Sequence, residues 1–447
     1  MGLARIGVEV PILKQARVIS WVGLASIILP FGASGLARAQ EVEPGKPYTP
    51  RDSVQAITHP LSATPERLDL TPPPPGLRGP RVETPRATMD GASTWWGEQH
   101  LQVWGRYNRV EGPALHLAVV RHLKPEGYIP AFRAQFGYAF SAERGQYFAG
   151  FEQPVAPHHR VTVGVQAYRS FLPFYYADES LSSGENSASA LFLHRDYWDW
   201  YEAEGVRALA SFYVTRTITV STGMRKQDEA TLDNVNDWSV FNQETDFPEN
   251  PSIPDGEYRG YDVTLAYDTR PRQEEDDISP RSTWPSWTKW HRVQWERGDG
   301  GLGGDFDLWR VTGDLRNYFR IAPNQIISTR LLAGTGEGEG GILPAERRHE
   351  IGGLGTLRGH NYRSLRGDHM ALANAQYAIG VGRRGWALVF LDAGTAWDSG
   401  TLFDQHVPID LGTGFRIGQS GPTLLIAHSL NDSGADWHVE FRFQESY

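Results

Sequence analysis

From Trp95 to the C-terminus, apolar and polar residues alternate with a period of two, in segment after segment separated by turn signals. A β-strand presents successive side chains to opposite faces, so strict alternation specifies half-buried strands. It excludes helix, whose apolar positions recur every three to four residues. In residues 438–444, Val439, Phe441 and Phe443 fall on one face, and His438, Glu440, Arg442 and Gln444 on the other. Trp309, Val311, Leu315 and Phe319 oppose Arg310, Thr312, Asp314 and Arg316 in the same way. Tyr261, Val263, Leu265 and Tyr267 oppose Asp262, Thr264 and Asp268; Phe132, Phe136, Tyr138 and Phe140 oppose Arg133 and Gln135.

The alternating segments number sixteen: 101–111, 113–122, 129–141, 146–156, 159–170, 201–214, 216–226, 257–270, 285–297, 304–319, 323–334, 367–381, 384–397, 404–417, 420–430 and 435–445. Short connections near Thr215, Ile321-Ala322, Gly382-Arg383 and residues 418–420 contrast with long irregular ones at 171–200, 227–256 and 335–366. An even strand count with short turns on one side and long loops on the other predicts an all-β, 16-stranded antiparallel transmembrane β-barrel. A soluble β-sandwich would also alternate, but its charged residues would face water and its aromatics would fill one dry core. Aromatics instead gather toward strand ends, at Trp95-Trp96, Trp104, Tyr197-Trp198, Trp200-Tyr201, Trp284, Trp287, Trp290 and Trp437. Those are the positions of interfacial girdles.

The N-terminal region reads differently. Arg5, Lys14 and Arg17 precede a short apolar run, residues 18–28, and Ala37-Arg38-Ala39 has the small-x-small pattern of a cleavage site. Residues 1–39 therefore read as a secretory signal peptide; the run is too short for a membrane anchor and Pro30 ends it. Residues 40–92 form a proline-rich periplasmic linker, expected to be disordered, and the barrel domain occupies 93–447. The linker leaves no room for a folded periplasmic domain and is a place for a periplasmic partner to bind. Cysteine is absent, so neither disulfides nor thiol chemistry operate. A mean hydropathy of −0.43 fits a barrel whose strands each turn one face to a polar lumen. A net charge of −10 argues against a nucleic-acid partner.

One segment carries more specific information. Gly352-Gly353-Leu354-Gly355-Thr356-Leu357-Arg358-Gly359-His360 lies in the long connection between the eleventh and twelfth strands, and Phe390-Leu391-Asp392 lies in the thirteenth. An arginine inside a barrel needs a carboxylate partner, and Asp392 is the one expected. Trp386, Leu388, Phe390 and Asp392 share a face, so if Asp392 points inward Phe390 does too, with an apolar residue such as Leu357 packed on it. Gly352, Gly353, Gly355 and Gly359 would let the loop turn within a confined space. Gly367-Asp368 follows the loop, as a cap on its return to the wall or as a plain turn.

Together these features resemble the BamA/TamA-type outer-membrane barrel superfamily, the bacterial surface antigen family. The resemblance implies that the connection between strands eleven and twelve folds into the lumen, bearing a Val/Leu-Arg-Gly-aromatic tetrad matched here by Leu357-Arg358-Gly359-His360. It implies that Asp392 of the Phe-x-Asp segment engages Arg358. Asp268-Thr269-Arg270 followed by Ser279-Pro280-Arg281, Asp392-Ala393-Gly394-Thr395-Ala396-Trp397, and the aromatic-rich last strand from Trp437 to Phe443 are further points of similarity. The chain departs from the family at His360, which stands where an aromatic is usual with Tyr362 nearby; at Glu445-Ser446-Tyr447 after the last strand; and in lacking the polypeptide-transport-associated domains.

Other polar groups read as structural. His158-His159 at a turn after Pro157 are expected to be solvated, with no partner spacing for a metal. His428 and Ser429 are adjacent on one strand and face opposite sides, so they cannot act together as a hydrolase pair. His194-Arg195-Asp196-Tyr197-Trp198-Asp199-Trp200-Tyr201-Glu202 has the composition of a sugar or lipid-headgroup site, but an interface girdle is the simpler account. The expectation is a non-enzymatic bacterial outer-membrane protein without cofactor or metal. Its partners would be outer-membrane lipids and unfolded outer-membrane or secreted polypeptides, in protein assembly or translocation. The alternative is a passive or substrate-gated pore, or a structural barrel without insertase activity.

Overall fold

Sixteen strands hydrogen-bond in one antiparallel sheet, in chain order apart from a two-stranded insertion. The computed structural model describes residues 99–121, 130–155, 161–174, 181–215, 217–242, 244, 246–270, 286–353, 355–382, 385–418, 421–432 and 436–442. The signal peptide, the linker, His158-His159, Ser279-Pro280-Arg281, Trp95-Trp96, Trp284 and residues 445–447 lie outside them.

The first half of the sheet comprises β1 (Gln99–Asn108), β2 (Gly112–Arg121), β3 (Ala131–Ala139), β4 (Arg144–Pro154), β5 (Val161–Pro173), β6 (Trp200–Tyr213), β7 (Ile218–Thr231) and β8 (Gly256–Asp268). It continues through β9 (Trp287–Gly298), β10 (Leu308–Ala322) and β11 (Gln325–Glu337). Between β11 and the next wall strand, β12 (His349–Ile351) and β13 (Leu365–Gly367) pair as a small separate sheet. The wall resumes with β14 (His369–Val381), β15 (Gly385–Trp397), β16 (Ile409–Ile417), β17 (Thr423–Ser429) and β18 (His438–Arg442). One helix, α1 (Ser183–Leu193), interrupts the connection from β5 to β6.

Each of the sixteen predicted strands has a counterpart. Three boundaries moved for identifiable reasons. β7 runs on to Thr231 because Gln227 and Glu229 continue the buried face. The predicted strand at 367–381 is split at Asp368, whose carboxylate accepts the Leu343 N–H while its carbonyl accepts the Gly336 N–H. β16 begins only at Ile409, because a helical turn at Leu402–Asp404 occupies the preceding residues.

The sense of burial is inverted relative to a water-soluble protein. Along β10, Leu308, Arg310, Thr312, Asp314, Arg316 and Tyr318 are buried. On the other face, Val103, Phe136, Met224 and Leu331 are all more than half exposed. A soluble sandwich hides its apolar face; here the charged face is enclosed and an apolar belt faces outward, as hydrocarbon requires. No helix among the described residues is long and apolar enough to cross a membrane. The molecule is an all-β, 16-stranded antiparallel transmembrane barrel. Its described sheet begins at β1 and ends at β18, and among the described residues no ladder joins those two strands.

The aromatic residues split between two roles. Trp287 and Trp437 are largely exposed, as girdle residues should be. Trp198, Trp200 and Tyr201 are not: Trp200 is wholly buried, packed with Val110, Phe171, Leu181 and Trp198. The girdle reading of residues 194–202 is therefore corrected, since a segment leading inward from α1 carries its rings with it. Trp104 and Trp290 also turn inward, the first stacked on His116 and the second lying under Arg316.

Candidate functional site

The connection between β11 and β14 is the candidate site. Its turns are built on glycine: Gly352 and Gly353 have φ of 127° and 71°, in the region that side-chain-bearing residues avoid. They reverse the chain after β12, so that Thr356, Leu357 and Arg358 reach the wall and are buried. Gly355 also has positive φ, and its carbonyl accepts a bond from Arg330 of β11 at 3.1 Å.

Arg358 and Asp392 meet as a forked pair. Arg358 Nε donates to Asp392 Oδ2 at 2.8 Å and Nη2 to Oδ1 at 2.7 Å, while Nη1 donates to Gln376 Oε1 at 2.7 Å. Asn374 Nδ2 donates to Asp392 at 2.8 Å and to the Thr356 carbonyl at 2.7 Å. The wall strands β14 and β15 thus supply one carboxylate and two amides to a single loop turn. Both members of the pair are nearly inaccessible to solvent, where charge-assisted, bidentate geometry offsets part of their desolvation.

Phe390 is inward, as parity requires, but its partner differs from the expected one. The Arg358 guanidinium lies 3.5 Å from the centre of its ring. Leu357 instead joins Leu332, Ile351, Met370 and Leu372. A planar cation covers the aromatic face, and the leucine fills a gap among wall residues on the other side of the turn.

Gly359 N–H donates to Asp410 of β16 at 2.7 Å, and a Cβ at this glycine would sit 2.7 Å from the Asp410 carboxyl carbon. Only glycine permits that approach. His360 then bridges two elements: Nδ1 is 3.0 Å from Asp410, and Nε2 is 2.7 Å from Asp432 in the connection between β17 and β18. The Asp410 hydrogen bond is the largest influence on the imidazole. With Asp432 it outweighs partial burial and raises the pKa above the ordinary histidine value. Tyr362 does not take this place; it packs edge-on against Tyr197 at 5.1 Å.

Two further arginines of the same loop were not singled out from the sequence. Arg347 pairs with Glu229 of β7 at 2.5 Å and approaches Glu296 of β9 at 3.4 Å. Glu296 also binds Arg310 of β10 at 2.6 Å, and Tyr258 lies under the Arg347 guanidinium at 4.4 Å. Arg363 contacts Glu350 and Asp199, and Asp199 also holds Arg109 at 2.5 Å. The signal available was lumen parity: Glu229 and Glu296 both lie on the enclosed face of their strands and require cations. Asp196 and Asp199, within the segment weighed as a headgroup site, are committed to Arg109 and the inserted loop.

Gly367-Asp368 closes the loop. Asp368 pairs with Arg348 at 3.3 Å, and its N–H donates to Asp398 at 3.2 Å, so the loop is fastened to the following connection as well as to the wall. His428 packs on Trp437 at 4.9 Å, while Ser429 is buried on the opposite face.

Comparison with known proteins bears on these features. The sequence profile of the C-terminal domain of a family of unknown function (DUF5686) matches residues 95–269. The chain is 30% identical over 141 residues to the outer membrane protein assembly factor BamA of Nitratidesulfovibrio vulgaris, a match covering 28% of this chain and 18% of that protein. The chain thus spans less than a fifth of the curated relative it matches. The fold is similar to the crystal structure of BamA from Haemophilus ducreyi lacking POTRA domains 1–3, with a TM-score of 0.52 and 13% identity over 77% of this chain and 69% of that one. CdiB from Acinetobacter baumannii aligns with a TM-score of 0.41 and 16% identity over 78% of this chain and 59% of that one.

Proposed function

We propose that this chain, an outer-membrane β-barrel of the BamA/TamA type, assists the assembly or translocation of polypeptides at the outer membrane. The observation that carries the reading is the infolded loop. A passive pore needs an open lumen; here Arg347, Arg358 and Arg363 pin a loop across it to carboxylates on β7 and β15 and in the connection leading into β6. We assign Arg358 and Asp392 the role of loop lock, with Leu357, Gly359 and Phe390 seating the turn. Its fixed position leaves the two ends of the sheet as the place where the barrel can act, because an unpaired strand edge is a template for an incoming strand. The apolar belt faces outer-membrane lipid, and the client is an extended, unfolded polypeptide. The proline-rich segment ahead of β1 is where a periplasmic partner would dock.

The test is reconstitution of the full-length protein in lipid vesicles, followed by addition of a urea-unfolded outer-membrane barrel. The reading expects faster appearance of the client's heat-modifiable folded form than in empty vesicles, with little ion conductance. Steady conductance in planar bilayers without acceleration of client folding would overturn it in favour of a pore.

A further inference from the structure

The helix in the connection between β5 and β6 has no part in the loop lock, yet it touches both ends of the sheet. Its own position is fixed independently. Ser182 Oγ accepts the Glu185 N–H at 3.2 Å, and the Glu185 carboxylate accepts the Ser182 N–H at 3.1 Å, a reciprocal capping box. At the other end His194 adopts a left-handed cap, and its imidazole meets Ser239 at 2.8 Å and Asp237 at 3.0 Å. Between these anchors, Ser187 Oγ accepts the backbone N–H of Tyr107 on β1 at 3.1 Å. Tyr107 lies opposite Pro113 of β2, so this amide points away from the ladder toward the free edge of β1. The Tyr107 ring packs with Ala190, Leu191 and Phe247. From the other end of the sheet, Arg442 of β18 approaches the Glu185 carboxylate at 3.6 Å, with both side chains buried.

We propose that α1 is an internal brace across the seam, holding β1 by an edge-strand hydrogen bond and β18 by an ion pair where, among the described residues, no backbone ladder joins them. The brace deepens the function proposed above, since a polypeptide strand adding to the edge of β1 competes with Ser187 for the Tyr107 amide. Release of the brace is therefore a condition for using that edge.

The chain contains no cysteine, so spin labels at V103C and V439C, two outward-facing positions on β1 and β18, are unique. Double electron–electron resonance on the purified full-length protein, without client, reads the seam directly. Glu185→Gln keeps the capping box, because glutamine serves at the same position, and removes only the charge. Ser187→Ala removes the acceptor. The expected result is one narrow distance distribution for the unsubstituted brace and a longer, broader one for the E185Q/S187A double variant, with heat modifiability retained. Arg442→Gln should match Glu185→Gln, and combining them should add no further shift. An unchanged distribution in the double variant, or additive shifts from Glu185→Gln and Arg442→Gln, would overturn the brace. Either outcome is independent of the vesicle assay, so failure of one proposal is distinguishable from failure of the other.

Discussion

The tip of the inserted loop and the seam of the sheet are both tied by an arginine and a carboxylate, but to different degrees. Arg358 forms two hydrogen bonds below 3 Å with Asp392, a third with Gln376 and a ring contact with Phe390. It docks on β14 and β15, thirteen residues each and paired along their whole length. At the seam, Arg442 approaches the Glu185 carboxylate at 3.6 Å, beyond hydrogen-bond distance, and Glu440 of its own strand at the same distance. The contrast is between a close, forked pair at the loop tip and a longer-range pair at the seam, so the arginine of the loop is the more firmly seated of the two. On the function proposed above, that difference gives the barrel a place to open.

The largest expected effect breaks the rigid half of that comparison. Arg358→Ala strands the Asp392 carboxylate in an enclosed site, and removing one member of a buried pair costs roughly 3–5 kcal/mol. The temperature at which the compact band converts to the unfolded one in semi-native electrophoresis should fall markedly. Arg358→Lys should recover only part of the loss, because an ammonium cannot make the forked contact. Glu185→Gln, by comparison, should leave that temperature near its original value while moving the seam. Wild-type heat resistance in Arg358→Ala would show that the loop is held elsewhere.

How much of this was legible in the sequence follows from what alternation encodes. Period-two patterning reports which face of a strand is apolar, so all sixteen strands could be read directly, and strand parity placed Phe390 and Asp392 on one face. It does not report which inward groups meet across the lumen. Arg347–Glu229 and Arg363–Asp199 join residues more than a hundred positions apart, and no local pattern specifies them. The placement of Leu357 failed for the same reason: a turn of the loop separates its neighbours from those of Arg358. Helix α1 escaped because Gly184, Ser187 and Ser189 weaken any helical signal over eleven residues. The Ser182-x-x-Glu185 capping box was the cue that could have marked it.

A smaller effect sharpens the description of the rigid half. Gly359→Ala places a methyl carbon against Asp410 and disturbs the Gly359 N–H bond to the same carboxylate. Overpacking of this kind costs about 1–3 kcal/mol. The loss in heat resistance should be less than for Arg358→Ala. Introduced into an Asp410→Gly background, the same substitution should cost less than it does in the original protein, because the clash is with that side chain. A Gly359→Ala protein as stable as the original would show that the loop approaches β16 less closely than described.

The smallest effect probes a contact linking the two regions, since His360 belongs to the loop and Asp432 to the connection leading into β18. The imidazole faces Asp410 from β16 and Asp432 from that connection; His406 shares Asp432 at 2.6 Å, and His438 lies at the start of β18. Its pKa is raised in the folded protein, chiefly by the Asp410 hydrogen bond, so the imidazolium stabilises the fold. The sign follows from linkage: the contribution is complete below the ordinary histidine pKa of about 6.5 and is lost as pH rises through the higher folded value. Asp432 is shifted oppositely, lowered first by His360 and then by His406, so its share is present above the ordinary carboxylate range and lost only in acid. Thermal midpoints of the detergent-solubilised protein should therefore decline as pH is raised from 6.5 toward 9. His360→Phe, which restores an aromatic at the tetrad's last position, should flatten that decline while leaving the Arg358–Asp392 lock in place. Identical pH profiles for the two proteins would mean that the imidazole carries no charge between these carboxylates, and that loop and seam are coupled by packing rather than by this ion pair.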